Sequence, residues 1–225
     1  MITPSQTIAV VDHGSGNLRN ITKALEFVVA HAADARVRDA HILLTDDPAL
    51  ISAADKVVLP GVGAFEDCLQ GMHTRGQFAP VQALARRGTP LLGICVGMQL
   101  LFEVGEEMGA HIGLGLIPGR VIKFRWVDET PPAQGRPLPV PHIGWNQVCA
   151  AQPHPLLAGV KPGGYAYFVH SFHAADLDPA HILATTGYGY DFPSVVGNAN
   201  VWGIQFHPEK SQETGLTMLE NFIRV

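Results

Sequence analysis

Cysteine is scarce in this chain of 225 residues: Cys68, Cys95 and Cys149 are the only three. They are odd in number and far apart, with no C-x-x-C pair, which argues against a disulfide framework or a zinc ribbon and points to free thiols. Charge is thin as well. Charged residues make up 16% of the chain, with a net charge of −5, so the basic footprint that nucleic acid or an anionic membrane requires is missing. The expected partners are small molecules or another protein. No run of about 18 apolar residues could span a bilayer, and the opening "MITPSQTIAVVDHG" has neither a basic n-region nor a long apolar h-region. A soluble, cytoplasmic protein is expected. The 47% of hydrophobic residues can bury a sizeable core, and one compact domain over residues 1–225 is the expected organisation. Eleven histidines raise the question of a metal, but H-E-x-x-H is absent. The spacing of His170 and His173, three apart in a strand and its exit, predicts rings on opposite faces. No metal site is expected.

What is present alternates. "TIAVVD" (7–12) is a short β-branched run ending in the glycine turn "HGSGN", the signature of a buried parallel strand. Leu18, Ile21, Ala24, Leu25 and Val28 then form one helical stripe. "HILLT" (41–45), "KVVLP" (56–60) and "PLLGI" (90–94) repeat the strand signature, with amphipathic pieces such as "FAPVQALARR" (78–87) between them. This order predicts an α/β fold with an open, mostly parallel sheet and helices on both faces. Past about residue 115 glycine and proline become frequent, and "GRVIKF", "GWNQVC", "YAYFVHSF", "ILATTGY", "PSVVGNAN" and "VWGIQF" read as extra strands joined largely by hairpin-like turns. Leu216, Leu219 and Ile223 predict a closing helix with Ser211 and Glu213–Thr214 near its cap. "DETPPAQGRPLPVP" (128–141) reads as an exposed hairpin loop.

The chemistry gathers at "GICVGMQ". Gly93-Ile94-Cys95-Val96-Gly97 has the form G-x-C-x-G, between an apolar strand and the expected helix "MQLLFEVGEE". A nucleophile elbow has this context, because its turn is so tight that only glycine fits at the flanking positions. The Cys95 sulfur would project above the carboxyl end of the sheet, where a helix N-terminus favours thiolate. The N–H of Val96 would face a developing oxyanion. The plain alternative is a small buried residue, the usual role of a cysteine in an apolar run; Cys68 and Cys149 are read that way. A thiolate nucleophile needs a base, and the base an orienting acceptor. "QFHPEKS" (205–211) supplies His207 and Glu209 with Pro208 stiffening the backbone between them, although H-P-E alone could be a polar loop. A second oxyanion donor would come from "LPGVGAF" (59–65), where Gly61 and Gly63 free the backbone; an ordinary turn is the competing reading.

Together, "PGVGAF", "GICVGMQ" and "QFHPEKS", in this order, resemble the class I, triad-type glutamine amidotransferases from residue 7 to 225. The branch they are most similar to is that of the glutaminase subunits of imidazole glycerol phosphate synthase in histidine biosynthesis, through "DHGSGNLRN", "PGVGAF" and Lys210 after Glu209. His13 departs from the branch's usual tyrosine and Val96 from its usual leucine. The resemblance implies a flavodoxin-like fold with extra antiparallel strands in the C-terminal half. It also implies hydrolysis of L-glutamine by Cys95, His207 and Glu209, with Gly63 and Val96 as the oxyanion hole. Gln99, Glu107 and the backbone of His170, Ser171 and Phe172 would hold glutamine, and no cofactor is implied. It implies a heterodimer with a (β/α)₈-barrel cyclase subunit that receives the ammonia, with Asn17, Tyr167 and Lys210 at the interface. An amidotransferase serving another synthase, a γ-glutamyl hydrolase and a non-catalytic regulatory module remain the competing readings.

Overall fold

The structure is a computed structural model that describes residues 6–125 and 138–225. Its first half follows from the buried runs. Strands β1 (Thr7–Val11), β2 (His41–Thr45), β3 (Lys56–Gly61) and β4 (Leu91–Cys95) alternate with helices α1 (Leu18–His31), α2 (Ala35–Arg38), α3 (Pro48–Ala53), α4 (Phe65–Thr74) and α5 (Phe78–Arg86). In α1 the stripe places Ile21, Leu25 and Val28 inside, with Leu18 and Ala24 partly buried against them. Burial of such side chains, worth about 1.5–3 kcal/mol each, fixes the helix on the sheet.

The second half is built of α6 (Val96–Gln99), β5 (Phe102–Gly105), β6 (His111–Ile112), β7 (Ile117–Lys123), β8 (His142–Ala150), β9 (Gly164–His170), β10 (Phe172–Ala175), β11 (Ile182–Tyr188), β12 (Tyr190–Asn198), β13 (Val201–Ile204) and α7 (Gln212–Arg224). Among the described residues the strands form two sheets. The larger runs β2-β1-β3-β4-β13-β12-β11-β8-β9 and the smaller β10-β7-β5-β6. The larger sheet is parallel from β2 through β13 and antiparallel beyond it. Helices α1, α2 and α7 pack together, as do α3, α4 and α5, and the two groups cover the sheet's faces. None of the described helices is long and apolar enough to cross a membrane.

Four local expectations are corrected. "HILLT" is not buried: β2 is the sheet's edge and Leu44 is exposed. "MQLLFEVGEE" is not one helix. The helix stops at Gln99, and Phe102–Gly105 is a strand, because it pairs parallel with β7 and antiparallel with β6; Gly105 there sits so close to the Phe65 ring that a Cβ would lie 2.7 Å from it. Cys149 is exposed on β8 rather than buried. Ser211 holds the cap position of α7 but its side chain does not cap it, the hydroxyl donating to the His207 carbonyl and accepting from the Tyr167 N–H. The stretch read as an exposed loop lies, through residue 137, outside the described residues.

Candidate active site

Strands β4 and β13 are parallel neighbours, with Ile204 opposite Ile94, so the residues that follow each emerge at the same carboxyl edge. One is Cys95, the other the run Gln205 to Glu209. Cys95 has φ 56° and ψ −115°, a left-handed conformation that costs an L residue of order 1–3 kcal/mol and persists only where its surroundings over-determine it. The surroundings are backbone. A Cβ on Gly97 would lie 1.8 Å from the Leu59 carbonyl oxygen, and one on Gly93 would lie 2.6 Å from the Gly97 oxygen. Gly61, which pairs with Cys95 at the end of β3, would carry its Cβ 2.6 Å from the Gly97 nitrogen. Gly61 is thus a close-packing position within a strand rather than a loosened turn. Gly63 has φ +88° with open space where a Cβ would stand.

His207 is extended, at φ −91° and ψ 100°, and Pro208 opens a single 3₁₀ turn. The ring Nδ1 lies 2.9 Å from Glu209 Oε1, with both side chains almost wholly buried, and His207 and Cys95 line one cavity. Burial works against a charge on this ring. The interactions with Cys95 and with Glu209 outweigh it and raise the His207 pKa to about 10. Burial likewise pushes Glu209 up, but bonding to His207, its positive charge and the amide of Asn17 bring the carboxyl below its ordinary range. A ring raised in this way is a strong proton acceptor. Helix α6, a single turn, contributes less dipole than the longer helix expected from sequence; His207 supplies the positive charge instead.

Cys95 and His207 line a cavity of about 310 Å³ together with Gly63, Val96, Gln99, Glu107, His170, Ser171 and Phe172. Glu107 Oε2 accepts from the N–H of Phe65 at 2.8 Å, closing the start of α4. Gln99 Nε2 donates both its hydrogens to protein, to the Phe172 carbonyl and to Gln205 Oε1, each at 3.1 Å. Asn17, Tyr167 and Lys210 are elsewhere. Asn17 Nδ2 donates to Glu209 Oε1 at 2.9 Å. Lys210 Nζ stands 5.3 Å above the centre of the Tyr167 ring, and the Tyr167 carbonyl accepts from the His207 N–H.

His170 and His173 do not point apart. The chain changes sheets at Ser171, and both rings pack on Phe124, with centroids at 5.2 and 4.6 Å. His13, where the branch has tyrosine, is buried with Nε2 2.7 Å from the Pro60 carbonyl; burial lowers its pKa. Cys68 donates to the Val62 carbonyl, and burial pushes its thiol up to about 12, an inert thiol at neutral pH.

Sequence reasoning missed Gln205, fully buried, whose Oε1 accepts from Gln99 and whose Nε2 is 4.0 Å from the Cys95 sulfur. It stands two residues before His207, on the same side of an extended run, and that period was the available signal.

Comparison with known proteins adds to this geometry. The family model described as glutamine amidotransferase class-I matches residues 9–225. The chain is 48% identical over 213 residues to the imidazole glycerol phosphate synthase subunit HisH of Salinibacter ruber, covering 95% of this chain and 92% of that one. It is 45% identical over 215 residues to the subunit of the same name from Syntrophotalea carbinolica, covering 96% and 98%. Among solved structures, that of PurLQS from Thermotoga maritima aligns over 99% of this chain and 99% of that chain with TM-score 0.66 at 17% identity. A glutamine amidotransferase aligns over 97% and 99% with TM-score 0.68 at 16% identity. At these identities the structures speak for the fold alone.

Proposed function

The chain belongs to the class-I glutamine amidotransferases and is the glutaminase subunit of an imidazole glycerol phosphate synthase; from that premise we propose which residues do the work and what the subunit docks on. Residues 1–225 act as one amidotransferase domain in the cytoplasm. Cys95 passes its proton to His207 and attacks the carboxamide carbon of L-glutamine. The N–H groups of Val96 and Gly63 hold the oxyanion. His207, oriented by Glu209, protonates the departing ammonia and then takes a proton from the water that cleaves the γ-glutamyl thioester. Glu107 and Gln99, with the backbone at His170, Ser171 and Phe172, hold the amino-acid end of the substrate, a carboxylate suiting an α-ammonium group. No cofactor enters these steps.

The ammonia is passed to a (β/α)₈-barrel cyclase subunit, with Asn17, Tyr167 and Lys210 at that interface. Support for a docking face comes from the β8–β9 hairpin. Ile143 is paired with Val169 and Trp145 with Tyr167, and Ile143, Trp145, Tyr165 and Val169 are all exposed. An apolar stripe of this kind, with Lys210 over Tyr167 at its side, is what a partner would cover.

The observation that carries the reading is the left-handed Cys95 in one cavity with a histidine that a buried carboxylate orients at 2.9 Å. Its test is Cys95→Ala in the assembled synthase. Glutamine-dependent synthesis should disappear while synthesis from added ammonia persists. Turnover of glutamine by the variant would overturn the assignment of the nucleophile.

A further inference from the structure

The inner face of the β8–β9 hairpin carries a directed chain of hydrogen bonds that ends on the cavity wall. It can be read from either end. Asn146 Oδ1 accepts from the Gln147 N–H at 2.8 Å, and Asn146 Nδ2 donates to the Gly187 carbonyl at 2.9 Å. These two partners fix which atom of the amide is nitrogen. The second hydrogen of that nitrogen faces His142 Nε2 at 3.3 Å, so Nε2 must be an acceptor and the ring hydrogen must sit on Nδ1. His142 Nδ1 lies 3.1 Å from His170 Nε2, which must in turn accept. The hydrogen of His170 then sits on Nδ1, 2.8 Å from the Phe172 carbonyl oxygen, which can only accept. The two ends of the chain demand the same tautomers.

The rings are held where the chain needs them. His142 is stacked between Tyr188 and Phe168, with centroids at 3.9 and 4.9 Å. Desolvation keeps both histidines neutral, lowering His142 to about 4 and His170 to about 3. A proton added to His142 Nε2 would face the amide donor of Asn146, so the chain has no place for a charge. At its far end, the Phe172 oxygen also accepts from Gln99, which donates on to Gln205, whose amide faces the sulfur of Cys95.

We propose that His142 and Asn146 are positioning residues for the glutaminase: acting through His170, they fix the direction of the Phe172 carbonyl and with it the wall of the cavity that holds the substrate. Neither residue lines the cavity itself. Their effect falls on how well glutamine is held rather than on the bond-making step. This inference rests on the proposed function, so its test has an arm that does not depend on it.

The first arm is nitrogen-15 NMR of the full chain with labelled histidine at neutral pH. The expected result is that His142 and His170 are both neutral with the hydrogen on Nδ1, and that His142→Phe releases His170 from that tautomer. A hydrogen on Nε2 of His170 in the unaltered chain, or an imidazolium at either position, would overturn the proposal. The second arm is glutamine kinetics in the complex with the cyclase subunit. His142→Phe keeps an aromatic ring in the stack but leaves His170 Nε2 without its donor, and KM for glutamine should rise about tenfold with kcat changed less than about twofold, the worth of one buried hydrogen bond. His142→Asn, whose amide can restore a donor near the Nδ1 position, should recover KM to within about threefold. Equal losses in both variants, or a loss confined to kcat, would reduce the role to packing and overturn the proposal. Should His142→Phe not fold, Asn146→Leu at the half-buried end of the chain decides the matter by the same KM shift. An unaltered complex that fails to hydrolyse glutamine would bring down the proposed function, and the positioning role with it, while leaving the tautomers of the first arm as measured.

Discussion

Around one cavity, Cys95 stands on a turn held by backbone pressed against backbone, whereas residues 170 to 172 are held by side chains that hydrogen-bond through one another. On the cysteine side the agents are glycines, and their contribution is the lack of an atom. A Cβ on Gly93, Gly97 or Gly61 would collide with peptide groups that cannot move without dismantling β3 or β4. On the histidine side the agents are His142, His170, Gln99 and Asn146, and their contribution is the placement of a few hydrogens. The first kind of support tolerates no change at all. The second can be weakened by degrees, so the two sides should answer mutation differently.

The largest effect should come from Gly97→Ala. Its new methyl would fall 1.8 Å from the Leu59 oxygen, and relief would cost about 3–5 kcal/mol, lowering Tm by about 10 °C and removing glutaminase activity. A variant with unaltered Tm would show that the turn is not held sterically. Next comes Glu209→Gln, which keeps the shape of the side chain but removes the charge that helps hold the His207 pKa at about 10. Loss of kcat by about 10³–10⁴, as in other triads whose acid becomes an amide, with KM little changed, would contrast with the KM effect expected at His142. A modest kcat loss would mean that the orienting carboxylate matters less than the sulfur's own surroundings.

The smallest effect, within about one pH unit of neutrality, is on stability against pH, and its sign follows from the directions of the shifts. His142 and His170 are depressed to about 4 and about 3, so below 6.5 the unfolded chain binds protons that the folded one refuses. Stability is lost as the pH falls from 6.5 towards those values, by ~1.4 kcal/mol per pH unit for each histidine. His207 is raised, and its contribution is complete below 6.5 and lost as the pH climbs through about 10. Tm should therefore decline on both sides of neutrality, and His142→Phe should flatten the acid limb alone. An unchanged acid limb would show that His142 titrates normally in the folded chain.

The two sides also differ in how far the sequence reveals them. Glycines at fixed offsets around a cysteine are local, and "GICVGMQ" can be read without knowing what packs on it; "QFHPEKS" likewise carries His207 and Glu209 within three residues. The alternation of buried runs and helical stripes marks the parallel core for the same reason. His142 and His170 are 28 residues apart, and nothing periodic joins them; they meet because β8 pairs with β9 in a register that puts them side by side. The strand Phe102–Gly105 was hidden by a similar cause, since a run that would suit a helix is recruited by β7 and by the space beside Phe65. Asn17 was assigned to a partner's face by resemblance, and its amide is found on the carboxylate of Glu209, a contact between residues 192 positions apart that no local pattern announces.

The place of β13 between β4 and β12 has a consequence for a chain still on the ribosome. Gln205, at the foot of the run to His207, lies 110 residues after Cys95, so the cysteine's turn can be synthesised and begin to fold long before His207 has left the tunnel. Synthesis runs at roughly 5–20 residues per second, which leaves the nascent chain several seconds with Cys95 and no His207. With Cys95 and His207 in the roles proposed for them, insertion of the last strand into a waiting gap is also the act that arms the enzyme, and a half-made chain has no means of spending glutamine.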